Sequence, residues 1–302
     1  MKAPVIDLQK RVQALLDTVY GSWNVTGLRP LGSGLENMVF AADSEAFGPI
    51  ALRVPWTRWL ANVNDPSRDC RDTLHQEAAI AAHLTRYGVP VPRVHALHLS
   101  DEIDFLVSDL VVGDGSRAEP RAMGRVAAQI HGAPPPDIPL VCMEGKSLAE
   151  MLANRIDQRV RYIATRAGRD FGLPPKEALA RVLGWPGARR RLLHMDLRPV
   201  NFLARNGAVA AIVDWDNALL GDPALDLARS AEAGEVDMQE LLAGYGNMAP
   251  FAHLPEPVEL LYRLDTAAML AVVFLEETPD PSRAERFVGR TLELVDRLRR
   301  AL

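Results

Sequence analysis

The stretch FLARNGAVAAIV, residues 202–213, leaves the chain little local freedom. Asn206-Gly207 between two apolar runs signals a hairpin, because both residues accept the left-handed backbone of a tight two-residue turn. A hairpin here carries Asn201, just before the first strand, and Asp214, just after the second, to the same end. Asp196 lies five residues before Asn201, in a loop that Pro199 helps to keep out of helix. Asp216 follows close behind Asp214. Three carboxylates and an amide thus gather beside strands that read as buried, where an unpartnered charge costs several kcal/mol.

Repulsion among these oxygens calls for a cation between them. Asn201 and Asp214 offer hard oxygen ligands suited to Mg²⁺, which uses few protein ligands and completes its shell with water and phosphate. Asp196 is then left to act as base or orienting acceptor for a hydroxyl.

The remaining chain divides by periodicity. An amphipathic helix over 6–20 precedes a strand-rich region from Val25 to about Val54, with two strands pairing across Phe47-Gly48. Residues 69–88 have helical spacing, with Leu74, Ala78, Ala81 and Leu84 on one face and Gly88 as the stop. The prolines of VPVPRVHAL keep it extended, IDFLVSDLVV reads as a further strand, and residues 113–120 read as a linker. Beyond it lie helices, one opened by the capping box Ser147/Glu150, and two long ones over 257–275 and 282–302. The expected class is α+β in two lobes.

A net charge of -5 argues against nucleic acid as partner. No apolar run reaches membrane-spanning length, and the amino terminus lacks a signal-peptide block, so a cytoplasmic protein is expected. Cys70 and Cys142 have no metal-site spacing and read as unpaired thiols. From Leu225 onward, fourteen Asp and Glu stand against eight Arg, so the negative charge sits in the last third.

His194-x-Asp196-x-x-x-x-Asn201, followed by Asp214-x-Asp216, resembles the catalytic loop and metal motif of the aminoglycoside phosphotransferase family, small-molecule kinases with the protein-kinase fold. The likeness continues through Gly221-Asp222-Pro223 to Asp226-Leu227-Ala228 and covers roughly residues 31–228. It implies a two-lobed protein-kinase-like fold: a nucleotide-binding lobe with its linking segment over 1–112, and a helical lobe with catalytic loop and acceptor site over 113–302. His194 would be a scaffold of the loop, and Asp222 and Asp226 structural anchors. Gly32, Ser33 and Gly34 would form the phosphate-covering turn, with Asn37 where protein kinases carry a third glycine. Arg53, where lysine is usual, would hold the α- and β-phosphates with Glu77 as partner. Backbone groups from Asp109 to Val111 would bind the base of ATP or GTP. Asp216 would make an auxiliary contact to metal or water.

The function so implied is Mg²⁺-dependent transfer of the γ-phosphoryl of a nucleoside triphosphate to a hydroxyl of a small molecule, such as an aminoglycoside or macrolide antibiotic or a related metabolite. A nucleotide-binding pseudokinase is the alternative, motivated by Arg53 and the missing third glycine. A protein kinase fits less well, because Asp216 stands where that motif has glycine and no Ala-Pro-Glu segment follows. The acidic last third, including Glu276 and Glu277, favours a cationic acceptor, whereas VFAADSEAFGPIALRVP is similar to macrolide phosphotransferases. ATP against GTP and the oligomeric state stay open.

Overall fold

The computed structural model describes residues 5–64, 67–141, 143 and 146–302. Cys142 lies outside them, and Cys70 is a buried free thiol. The first lobe is built on a five-stranded antiparallel sheet ordered β1-β2-β3-β7-β6. Its strands are β1 (Thr26–Ser33), β2 (Asn37–Ser44), β3 (Gly48–Pro55), β6 (Val94–His98) and β7 (Phe105–Asp109). β2 and β3 pair in unbroken register from Asn37↔Pro55 to Ser44↔Gly48, as the alternating apolar residues on either side of the turn require. Helix α1 (Val5–Val19) lays Leu8, Val12 and Leu16 on one face of the sheet, against Phe40, Ile50, Leu52 and Phe105. A short ribbon of β4 (Trp59–Leu60) and β5 (Arg68–Asp69) leads into α2 (Cys70–Thr85), whose first turn is capped by the Asp69 carboxylate.

The second lobe is helical: α3 (Pro120–Gly132), α4 (Leu148–Ala167), α5 (Lys176–Leu183), α6 (Pro223–Ala233), α7 (Met238–Tyr245), α8 (Glu256–Val272) and α9 (Pro281–Ala301). Its core gathers the apolar faces of α4, α6, α8 and α9 around Ile156, Leu225, Leu264 and Leu294. Two ribbons sit on the side facing the sheet. β8 (Arg191–Leu193) pairs with β11 (Leu219–Gly221), and β9 (Phe202–Arg205) with β10 (Ala208–Ile212). The capping box at α4 is present. Among the described residues, no helix is long and apolar enough to cross a membrane.

Two expectations are refined. The stretch after Val112 is pinned rather than loose: Asp114 N–H donates to Ala204 O (3.0 Å), and its carboxylate accepts from Asn206 N–H (2.6 Å). A Cβ on Gly113 would come within 3.0 Å of Ala204 O, so the crossing chain lies flat on the hairpin. The helix expected through Leu275 ends at Val272 and widens into a π turn over Val273–Glu277, a local irregularity common at functional sites.

Candidate active site

Asn206 (φ 51°) and Gly207 (φ 77°) form the tight turn that the dipeptide implies. At the other end of the hairpin, Val213 N–H donates to Asn201 O (3.0 Å), and Asp214 follows in the left-handed region at φ 72°. A non-glycine residue held there stores strain that its surroundings must fix. Asn201 donates its amide N–H groups to Asp196 O (2.9 Å) and Oδ2 (2.7 Å). The amide oxygen is therefore what Asn201 can offer a cation.

The loop is anchored from below. The fully buried Asp226 carboxylate accepts from His194 N–H (2.7 Å), Met195 N–H (3.0 Å) and His131 Nε2 (3.1 Å). Burial works to raise its pKa, but these donors and the nearby imidazoles bring it below the ordinary value. Met195, like Asp214, sits at positive φ (62°). The His194 ring is buried, with Nε2 3.1 Å from Val213 O and Nδ1 3.2 Å from Asp196 N. Because the Asp196 N–H must donate, Nδ1 is the acceptor and His194 is the neutral tautomer protonated at Nε2. Asp222 caps α6 through Ala224 N–H and also accepts from Arg189 N–H.

Arg53 is where the two lobes join electrically. From the middle of β3 its guanidinium meets Glu77 on α2, Asp216 Oδ2 at 2.5 Å and Asp214 Oδ1 at 3.2 Å. With the Asn37 amide oriented so that its oxygen, not its nitrogen, faces the guanidinium, it accepts from Arg53 Nε (3.2 Å) and Nη2 (2.8 Å). The residue in place of a third glycine is thus a ligand of the arginine in place of the usual lysine. Asp216, expected to contact metal or water, is buried against Arg53 as a counter-ion. One guanidinium faces three carboxylates. Burial pushes the Glu77 carboxyl up to about 7 against the pull of Arg53, with Asp216 and Asp214 adding repulsion.

A cleft of about 830 Å³ lies between the lobes, reached by Gly32, Ser33, Gly34, Arg53, Glu77 and Asn201 among others. Neither Gly32 nor Gly34 has positive φ, and a Cβ on Gly32 would meet nothing within 4 Å. The fold itself does not require glycine there; bare backbone keeps the roof of the cleft open. Val39, Ala51, Leu106, Leu203 and Val213 supply apolar walls, and the segment from Asp109 to Val111 borders them. The Asp109 side chain is held by His95 Nε2 (2.7 Å) and Arg93 N–H (3.3 Å), and the N–H groups of Asp109 and Leu110 already donate to Arg93 O (2.9 Å) and Pro49 O (3.0 Å).

A second cavity, of about 340 Å³, opens on the other side of Asp196, between α4, α6, α8 and the π turn. Asp196, Arg198, Arg68, Glu36 and Asn217 border both spaces. Arg68 and Glu36, joined at 2.5 Å, went unnoticed in the sequence because each comes from an unremarkable segment. The same holds for Arg155 and Arg229, which line the second cavity from separate helices. Helical spacing could mark them as neighbours of their own helices only.

Oxygen donors fit Mg²⁺ here. Among the described residues, no group of three or more His, Cys, Asp or Glu forms a dedicated metal cage. Asp214, 44 % exposed, and the Asn201 amide oxygen make a sparse hard-oxygen pair at the edge of a negatively charged cleft. That is the kind of site in which Mg²⁺ takes its other ligands from water and phosphate.

The profile of the phosphotransferase enzyme family (APH) matches residues 27–260. No curated protein matches the chain at the sequence level. Among solved structures, aminoglycoside phosphotransferase APH(4)-Ia is similar at a TM-score of 0.67 and 18% identity, over 94% of this chain and 98% of that one. A candidate fructosamine-3-kinase from Haemophilus somnus is similar at 0.65 and 16% identity, over 95% and 96%. APH(2'')-IIa, solved as a ternary complex with streptomycin and ATP, is similar at 0.56 and 15% identity, over 94% and 95%. At these identities the structures speak for the fold, which is that of aminoglycoside kinases. With the profile spanning most of its length, the chain belongs to the phosphotransferase enzyme family.

Proposed function

We propose that the protein is a kinase that transfers the γ-phosphoryl group of ATP or GTP to a hydroxyl of a small molecule. The observation that carries this is the position of Asp196 on the border of two cavities, with Asn201 and Asp214 at the larger one. In this reading residues 1–112 hold the nucleotide and residues 113–302 carry the catalytic loop and the acceptor. The base lies between the apolar walls against the backbone at Asp109 to Val111, and the triphosphate lies under Gly32, Ser33 and Gly34. Arg53, steadied by Glu77 and Asp216, binds phosphate oxygens. Asn201 and Asp214 would hold Mg²⁺, which when bound offsets phosphate charge.

Asp196 accepts the proton of the acceptor hydroxyl. The hydroxyl oxygen bonds to the γ-phosphorus as its bond to the bridging oxygen breaks, and the nucleoside diphosphate leaves with that electron pair. The transition state is loose, so positioning and charge compensation are the protein's main contributions. Asn201 orients Asp196 through two hydrogen bonds, and the neutral His194 fixes the loop backbone.

The acidic last third and the stretch around β2 and β3 favoured an aminoglycoside and a macrolide respectively. Solved relatives with hygromycin B and with streptomycin support trying aminoglycosides early. The test is phosphorylated product from labelled ATP and GTP over an acceptor panel, with wild type and Asp196→Asn compared. Product from wild type and its loss in the variant is the expected result. Nucleotide binding with no product from either would turn the reading to a pseudokinase.

A further inference from the structure

The second cavity is ringed by guanidinium groups. Arg68, Arg155, Arg159, Arg198, Arg229 and Arg283 line it, against Glu36, Asp196, Glu235 and Glu277. Four of these arginines already meet acids: Arg68 with Glu36, Arg159 with Asp265 at 2.7 Å, and Arg198 and Arg283 with Glu235 at 2.9 and 3.8 Å. Arg155 and Arg229, both half-buried, make no ion pair or hydrogen bond among the described residues. Glu277 does not answer them; its carboxylate accepts from Asn64 Nδ2 (2.8 Å).

Two further groups on the same wall lack partners. Thr266 Oγ1, on a residue 0 % exposed, and Asn64 Oδ1, on a residue 8 % exposed, have no hydrogen bond among the described residues. Buried polar groups are rarely left so without a ligand or water to complete them. A hydroxyl can both donate and accept, and an amide oxygen accepts, which suits a polyol. Met269, Leu270, Val273 and Phe274 are among the apolar residues that line the rest.

Of the acids of the last third, Glu235 and Glu277 line this cavity: Glu235 is paired with Arg198 and Arg283, and Glu277 is held by the Asn64 amide. Glu232 is bound by Arg263 and Arg290, and Glu276 by Arg166. A polycationic acceptor would enter beside two arginines that already lack counter-charge. The volume, about 340 Å³, lies at the small end of ligand sites.

Resting on the kinase reading, we propose that the acceptor is a small hydroxylated anion, a polyol or hydroxy acid carrying a carboxylate or phosphate. Arg155 and Arg229 recognise its acid group, Thr266 and Asn64 its hydroxyls, and the hydroxyl to be phosphorylated faces Asp196.

The test is calorimetry on the full chain with Mg²⁺ and the non-hydrolysable nucleotide AMP-PNP present, so that the phosphate subsite is filled. The probes are inorganic phosphate, gluconate, glucose 6-phosphate, glucose, glucosamine and kanamycin. At least one anionic probe should bind roughly tenfold or more tightly than glucose, glucosamine and kanamycin. Arg155→Gln and Arg229→Gln should each weaken it by about tenfold, with melting temperature as the check on folding. Gluconate against glucose 6-phosphate separates carboxylate from phosphate. Tightest binding by glucosamine or kanamycin, no binding by any anion, or anion binding that neither variant weakens would overturn the proposal. AMP-PNP binding measured alone reports on the kinase reading separately, so the two can fail independently.

Discussion

Arg53 and Asp216, 163 residues apart in sequence, meet at 2.5 Å across the two lobes. The contact ties the central sheet to the end of the β9–β10 hairpin. It also accounts for the gathered acids: Glu77, Asp214 and Asp216 share one guanidinium, and negative charge is left over at the cleft.

Removing Arg53 should therefore be costly. Arg53→Ala leaves two largely buried carboxylates without their cation, a class of change that destabilises by about 3–5 kcal/mol. Arg53→Lys keeps the charge but loses the planar fork that reaches Asn37, Glu77 and the aspartates together, and should fall between. Urea unfolding of the three proteins at one pH checks the order.

Glu77 sets a pH signature. Its folded pKa is raised by burial from 4.5 to about 7, so its contribution to stability is full below 4.5 and is lost as pH rises through about 7. The unfolding free energy of wild type relative to Glu77→Gln should fall across that window. Urea unfolding of wild type and Glu77→Gln at about pH 5 and about pH 8 checks the difference.

Asp226 should matter for stability at every step of the loop. Its carboxylate is held below the ordinary carboxylate range, so its stabilisation is present above about pH 4 and is lost on acidification. Asp226→Ala strands two backbone N–H donors and the His131 ring. Each unpaired buried donor costs about 1–3 kcal/mol, so a clear drop in melting temperature is expected, together with loss of turnover. Asp226→Asn, which keeps one acceptor oxygen, should be milder in both readouts.

Asp196→Asn should cut turnover by about a hundred- to ten-thousandfold, the usual contribution of a positioned base. Nucleotide affinity should change little, because asparagine keeps the size of Asp196 and the proposed role of the carboxylate falls in the transfer step. Steady-state kinetics beside nucleotide titration would expose the split; equal losses in both would argue for a structural role instead.

Much of this arrangement was legible in the sequence because it is local. Asn206-Gly207 specifies its own turn, and the turn alone brings Asn201 and Asp214 together. Arg53 and Glu77 could be paired through the family resemblance alone, since the β4–β5 ribbon separates their elements in the chain. The partner of Asp216 was not legible: a carboxylate at a strand end looks the same facing a cation as facing an arginine from another lobe. Nor was the second cavity. Arg155, Arg229 and Thr266 come from three helices, and periodicity describes one helix at a time. The acidic last third does not by itself identify the acceptor, since a sum of charges does not reveal that Glu232 and Glu276 are already paired with arginines.

The most direct measurement is calorimetric titration of the protein with ATP and with GTP, each with and without Mg²⁺, in wild type and Asp214→Ala. The expected result is binding of at least one nucleotide that Mg²⁺ strengthens in wild type and does not strengthen in the variant. Binding of neither nucleotide under any of these conditions, or an Mg²⁺ dependence that survives the loss of Asp214, would contradict a nucleotide and metal site in this cleft.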